Sequence, residues 1–532
     1  LRVQALASKR ALHTTMAQCA PVASENGGVS ACTVAEQAAA PQSAQPKRVR
    51  LVGLDMIRGL TMVVMLLVDT AGAGYASIDH APWNGVHLAD FVMPFFLWVS
   101  GTSMSISLRV RPGQSHMAVF ATAFKRAVRL FVLGLVLQGG WLTQDTEGLK
   151  ALNLDLSTIR WMGILQRIAL VFVITAFVEL FVPKLGSESQ RLAPMQLAGT
   201  LLPRATGEGS VLAEGAACDR RNFGCELFRT NALGWGVVLC VAAVGTGLTY
   251  GVKPPASWPA CAPKVYPCFG DLAGTGVCAE KPSELTSEEL RAMACSGPGY
   301  LDSQILGVNH VYRKGSDFAE WPPKFGFDPE GFVTTLSAVL PMWLGMHVGQ
   351  VWGLLKDPRS TLVHWAVLGS VLTLVGAVLS VWVPLNKRLW SPSYSLFMSG
   401  MATLIYAAFF CLVDATALHP LKFRPVAGLV RTLLTPLEWL GANCILFFVL
   451  SDCCGVLSFG LESITLGHPY HKNNIVAWFK NTVLMDWLGL GSGCGGSYEH
   501  CGPALMVYVW IEILAWMAIC GVLYRKNMFW KI

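Results

Sequence analysis

Long apolar stretches alternate with short polar ones along most of the chain. A helix that crosses a bilayer needs about 20 predominantly apolar residues. Ten stretches meet that need, at roughly 54–73, 88–108, 124–141, 161–182, 232–251, 332–354, 362–384, 393–413, 432–452 and 504–524. Pro94 interrupts the second, and the step Pro436-Leu437-Glu438 lies near the start of the ninth. Such breaks are tolerated inside a bundle, where neighbours satisfy the freed backbone groups. The pattern predicts an all-α polytopic membrane protein of about ten transmembrane helices.

The polar stretches predict its orientation, because cytosolic loops concentrate Lys and Arg. With Lys47, Arg48 and Arg50 in the cytosol, every second loop is basic. These loops hold Arg109, Arg111, Lys125, Arg126 and Arg129, then six basic residues within 183–231, then Lys356 and Arg359. Lys422 and Arg424 follow, and finally Arg525, Lys526 and Lys531, so both termini are expected in the cytosol. Lys387 and Arg388 break the alternation. A large loop at 252–331, with Cys261, Cys268, Cys278 and Cys295, then falls on the luminal side. So does 453–503, with Cys453, Cys454, Cys494 and Cys501. Even cysteine counts in an oxidising compartment predict disulfides, with connectivity left open.

Composition narrows the class further. Of 532 residues, 53% are hydrophobic and 14% charged, against about 25% charged in soluble domains. The net charge of +7 does not point to nucleic acid, because the basic residues sit between apolar runs. Residues 1–46 lack aromatics and carry Arg2, Lys9 and Arg10 before the first acid, Glu25. They are expected to form a disordered or targeting tail, leaving 47–532 as the transmembrane domain. Cys218 and Cys225 lack further ligands at zinc spacing, and no metal is expected.

The chemistry concentrates in residues 50–101. Asp55 and Arg58 share a face of the first span at i, i+3. Charges inside a bilayer usually face a partner or a cavity. Asp90 lies near the luminal end of the second span, where a carboxylate also suits a helix N-terminus. His80 falls in the turn between these spans, flanked by Asp79, Trp83 and Asn84. A neutral imidazole takes up a proton near neutral pH. Asp69 or Asp79 is placed to orient its other nitrogen. Spacing alone does not separate His80 from His87, His310, His347, His468 or His471. Walker, Gly-x-Ser-x-Gly and His-Glu-x-x-His motifs are absent.

Several motifs in order resemble the heparan-alpha-glucosaminide N-acetyltransferase family. They are Leu54-Asp55 with Arg58-Gly59, His80-Ala81-Pro82-Trp83-Asn84-Gly85, and Ala89-Asp90 with Pro94. Leu165-Gln166-Arg167, Asn309-His310-Val311-Tyr312, Phe327-Asp328-Pro329-Glu330-Gly331 and Asn386-Lys387-Arg388-Leu389-Trp390-Ser391 follow. The resemblance runs from about residue 50 to 532. It implies an acyltransferase that moves acetyl from cytosolic acetyl-CoA to the amine of a luminal terminal glucosamine, with His80 as the active-site histidine. By this resemblance Asn84, Asp90 and Asp69 are expected beside His80. Arg58, Arg126, Arg167 and Gln166 are expected near the CoA, whose phosphates need basic partners. Trp83, Asn309 and His310 are expected near the amino sugar. A lysosomal or other endomembrane location is implied, and a homodimer stays open. The family usually has Asn at the Asp69 position. An O-acyltransferase of this fold with another sugar acceptor is an alternative. So is a ten-helix transporter using Asp55, Asp69, Asp90, Glu179 and Glu438 as relays.

Overall fold

The computed structural model describes residues 51–81, 83–110, 113–137, 159–185, 223–255, 257–258, 295–312, 327–355, 357–415, 424–451, 475–490 and 501–530. The expected tail at 1–46, most of the loop 183–231 and most of the cysteine-containing loops lie outside these residues. Of the eight loop cysteines, Cys295 and Cys501 are described. Cys240, Cys411, Cys444 and Cys520, within helices or at their ends, are not in disulfides.

The regular structure of the described residues is all helical, with no strand among them. In chain order the helices are α1 (Val52–Ala71), α2 (Val92–Ser107), α3 (His116–Leu137), α4 (Ile164–Phe181), α5 (Phe223–Thr230), α6 (Ala232–Gly251) and α7 (Gly297–Leu306). Then come α8 (Phe332–Leu355), α9 (Pro358–Leu379), α10 (Pro392–Asp414), α11 (Arg424–Ala442), α12 (Cys444–Ser451), α13 (Ile475–Trp478) and α14 (Gly502–Arg525). Local sequence starts several of them. Asp357 and Ser391 each accept a backbone N–H of the first turn, and Pro358 and Pro392 follow them at the first helical position. There the proline's missing N–H removes nothing the helix uses.

Six helices are long and apolar enough to cross a membrane: α4, α6, α8, α9, α10 and α14. The pair α11–α12, bent by 73° at its junction, makes a seventh if it is one span. The other three expected spans are helical but fall short for visible reasons. α1 carries Asp55, Arg58 and Asp69, α2 has only 16 residues, and α3 carries Lys125, Arg126 and Arg129.

Burial separates a centre from a periphery. The apolar window of α8 is 89% buried and that of α9 only 17%. Val363, Val367, Val371 and Leu374 of α9 point outward, as a lipid-facing stripe requires. Two central pairs approach backbone to backbone. A Cβ on Gly101 of α2 would stand 1.9 Å from the Met342 carbonyl of α8, and one on Gly345 would stand 2.0 Å from the Trp98 carbonyl. On the α1–α11 pair, a Cβ at Gly59 or Gly441 would collide likewise with Leu437 or Asp55. Small residues at such crossings let helices associate where lipid offers no hydrophobic drive.

The connections fall on two opposite faces of the bundle. On one, the turn 72–91 meets 380–391, through Gly85 N donating to Leu385 O at 2.8 Å. Residues 159–163 meet 307–312 there, through Trp161 N donating to His310 O. On the other face Asp414 accepts from Val52 N and Gly53 N at 3.0 and 2.8 Å, a carboxylate cap on the α1 N-terminus.

Candidate functional site

The chain leaves α1 at Ala71 and does not resume an α-helix until Val92. Within that loop Ala89 N donates to Ile78 O at 3.1 Å and Leu88 N to Ser77 O at 3.3 Å, so the loop folds back on itself. This brings Asp90, in a 3-10 turn at Leu88–Phe91, beneath His80. Asp90 Oδ1 lies 3.0 Å from His80 Nδ1. Asp90 Oδ2 accepts from Ala81 N at 3.1 Å and from His87 N at 2.9 Å. The Tyr394 hydroxyl donates to the Asp90 carbonyl. Burial pushes the Asp90 carboxyl up, but the His80 contact, Lys387 and the backbone donor offset this, and it titrates below an ordinary aspartate. Asp90 is therefore a fixed, buried anion against one nitrogen of an imidazole whose side chain is 43% exposed.

A second turn closes on the first. Lys387 Nζ lies 2.9 Å from His80 Nδ1, 3.4 Å from Nε2 and 3.8 Å from Asp90 Oδ1. Desolvation first, and the Lys387 ammonium next, push the His80 pKa below 6.5, against the pull of Asp90 and Asp79. Burial likewise lowers Lys387, with Asp90 and Glu330 opposing. The turn is held by Asn386, whose Nδ2 donates to Asn84 Oδ1 at 3.2 Å and whose Oδ1 accepts from Leu389 N at 2.8 Å. Trp390 sits in the left-handed region at φ 53°, a conformation that persists only where neighbours over-determine it.

Beneath this lies a buried ion network. Arg160 pairs with Asp328 and, at 2.6 Å, with Glu330. Burial would raise Glu330, but Arg160 and Arg167 carry it down to about 2. Arg167, in the first turn of α4, donates to Pro329 O at 2.7 Å, to Thr334 at 2.5 Å and to Thr335 at 3.2 Å. Its guanidinium stacks on Trp390 at 4.8 Å.

The expected residues therefore divide. His80, Asp90, Trp83 and Asn84 come together in one loop, with Trp83 half-buried and Asn84 exposed. His310 and Asn309 lie on the same face, His310 Nδ1 being 2.7 Å from Ile159 O and its ring against Trp161. Asp69 is exposed on the last turn of α1. The side chains that meet the His80 ring are Asp90 and Lys387, while Asp79 accepts the His80 backbone N–H at 2.6 Å. Of the three carboxylates, Asp90 is the one in hydrogen-bond contact with the His80 ring.

Arg167 and Gln166 stand apart from Arg58 and Arg126. Both are buried at the His80 end of α4, where Arg167 is committed to the 329–335 segment and Gln166 packs against Gly134 of α3. Arg58 lies in the second turn of α1, toward the other end, and Arg126 near the middle of α3. Arg58 binds Asp55 at 2.7 Å and the Ser103 hydroxyl. Arg126 is exposed against the Phe172 ring at 5.4 Å, and the two guanidiniums repel each other.

Lys387, Arg160, Glu330 and Tyr394 escape a reading of the sequence as site residues. Lys387 did leave a trace, as part of the break in the alternation of basic loops.

The family model described as the catalytic domain of heparan-alpha-glucosaminide N-acetyltransferase matches residues 50–197. The chain is 24% identical to the heparan-alpha-glucosaminide N-acetyltransferase of Mus musculus over 503 residues, 92% of this chain and 62% of that protein. It is 24% identical to the Homo sapiens protein of the same name over 501 residues, 92% of this chain and 61% of that protein. The chain thus spans about three-fifths of the length of these curated relatives.

Proposed function

We propose that this chain belongs to the heparan-alpha-glucosaminide N-acetyltransferase family, to which it is similar, and that it is a membrane acyltransferase. It moves acetyl from cytosolic acetyl-CoA to the amine of a terminal glucosamine, or a similar amino sugar, on the other side of the bilayer. The observation that carries this is the His80–Asp90 pair, 3.0 Å apart, in the loop that holds the family's turn.

The chemistry follows from the chain's own groups. An amino sugar must lose a proton as its nitrogen attacks the thioester carbonyl. With Nδ1–H donated to Asp90, His80 Nε2 presents a lone pair to take that proton. Asp90 stabilises the imidazolium so formed. As the carbon–sulfur bond breaks, the imidazolium returns the proton to the CoA thiolate. Desolvation and the Lys387 ammonium lower the His80 pKa, which favours the neutral ring that can take the proton. The Trp83 indole and the Asn84 amide are the donors in the same loop for the developing oxyanion.

Acetyl-CoA is the cosubstrate, and its phosphates cannot enter lipid. Arg58 and Arg126, two mutually repelling guanidiniums away from the His80 loop, suit those phosphates. The pantetheine arm would then span the bundle toward His80. With this orientation both termini face the cytosol, and the bundle counts ten spans once α1, α2 and α3 are included. The compartment follows as lysosomal or another endomembrane, with the loop cysteines paired on its luminal side.

The test is transfer from radiolabelled acetyl-CoA to glucosamine by the full chain in nanodiscs, beside His80→Ala. Labelled N-acetylglucosamine from the wild type alone is the expected result. Undiminished transfer by His80→Ala would overturn the assignment.

A further inference from the structure

One atom of the site is contested. His80 Nδ1 stands 3.0 Å from a carboxylate oxygen of Asp90 and 2.9 Å from the Lys387 ammonium. The carboxylate only accepts there and the ammonium only donates, and Nδ1 does one or the other. If Nδ1 carries the proton, it donates to Asp90 and Nε2 is the basic nitrogen. The ammonium then turns to the Asp90 oxygen at 3.8 Å or to Nε2 at 3.4 Å. If Nδ1 accepts from Lys387, the proton sits on Nε2 and the ring cannot take one there. A doubly protonated ring is opposed in either case, because it places a second cation within 2.9 Å of the first.

Lys387 is held there and does not drift. Its side chain is only 18% exposed, and the turn bearing it is fixed by Asn386 to Asn84 and to Leu389. The charged groups around the pair come from every neighbouring element. Asp79 and Asp90 face it from the His80 loop, and Arg388 from the turn itself. Glu330 reaches Lys387 from the 327–331 segment and Arg167 from α4.

We propose that Lys387 is a positioning residue that acts through His80: its fixed cation opposes protonation of the ring and so holds the imidazole in its neutral form. This rests on the role of His80 in transfer only for its consequence; the effect on the ring itself is measurable without turnover.

Diethyl pyrocarbonate acylates the neutral imidazole, so its rate at His80 against pH reads the ring's protonation. The measurement uses the full chain in nanodiscs, from about pH 4 to 8, a range that brackets an ordinary imidazole, with the His80 peptide followed by mass spectrometry. Wild type should show a midpoint below 6.5. Lys387→Met should raise it by about one unit, so that near pH 5.5 the reactive fraction falls several-fold. Lys387→Arg keeps the cation and should restore most of the low midpoint. Lys387→Gln, which keeps a donor without charge, should behave as Lys387→Met, and serves if the methionine variant does not fold. In transfer assays the acid limb of kcat should move with the midpoint, while KM for acetyl-CoA stays put. An unchanged midpoint in a folded Lys387→Met or Lys387→Gln protein would overturn the proposal. A shifted midpoint together with normal transfer by His80→Ala would instead count against the proposed function and leave Lys387's effect standing.

Discussion

At the His80 end of the bundle, charges are enclosed and each has a named partner. Asp90 meets His80, Lys387 and two backbone donors, and Arg160 clamps Asp328 and Glu330. Arg167 is committed to three oxygens of the 329–335 segment. Away from it Arg58 has Asp55 and Ser103, while Arg126 stays exposed against a ring and repels Arg58. The contrast suits the two tasks proposed above. Proton transfer demands a base fixed to within a fraction of an ångström, which only an over-determined network supplies. Holding a flexible polyanion demands cations that solvent and ligand can reach.

The sharpest way to break the comparison is at His80. His80→Ala should lower transfer by about two to four orders of magnitude, the usual share of a general base, with acetyl-CoA affinity and melting temperature unchanged. A loss of CoA binding in that variant would mean the two ends do not divide the work. Next in size is Arg160→Leu. It leaves Asp328 and Glu330 buried without their clamp and should destabilise the protein by about 3–5 kcal/mol, read as a fall in the melting temperature. If melting is unmoved, the network does not hold the end together.

Asp90→Asn keeps the shape but removes the anion that pulls the His80 pKa up, and should lower transfer by about a hundredfold while shifting the acid limb to lower pH. A variant with wild-type rate would remove Asp90 from the orienting role. A smaller effect separates the arginines. Arg58→Ala should weaken acetyl-CoA binding about tenfold, the scale of one charge-assisted contact. Arg167→Ala should leave that affinity alone and lower stability instead. The reverse result would put the CoA at the wrong end.

The smallest effect concerns stability against pH. The folded-state pKa of His80 lies below its ordinary 6.5, so the unfolded chain takes up the proton first as pH falls. The resulting stabilisation is fully present above 6.5, and it declines as pH drops from there toward the folded value. Melting temperature against pH should therefore fall more steeply in acid for wild type than for His80→Gln.

Legibility differed between these regions for a physical reason. Helix positions were visible because apolar stretches of spanning length appear in sequence, and every one of the ten expected stretches overlaps a helix. How many of them span is less plain, since α1, α2 and α3 mix charge or short length with apolar character. Arg167 shows the limit for single residues. A basic residue bounding an apolar run suggests an interfacial anchor or a phosphate partner. Only the fold shows it turned inward onto Pro329, Thr334 and Trp390. Asp90 was legible as a candidate beside His80, but not as the carboxylate that meets its ring. The pairing depends on the loop folding back through Ala89 and Ile78, which no local spacing encodes.

The sequence by itself determined the membrane class, the helical stretches, the alternation of basic loops and the turn that holds His80. These are properties of composition and of neighbours along the chain, where hydration and bilayer thickness act directly. The tertiary structure decided which carboxylate faces His80, that Lys387 from 307 residues away contests the same nitrogen, and which arginines remain open. Those are contacts between distant segments. Their strength depends on distance and local dielectric, and both exist only once the chain is packed.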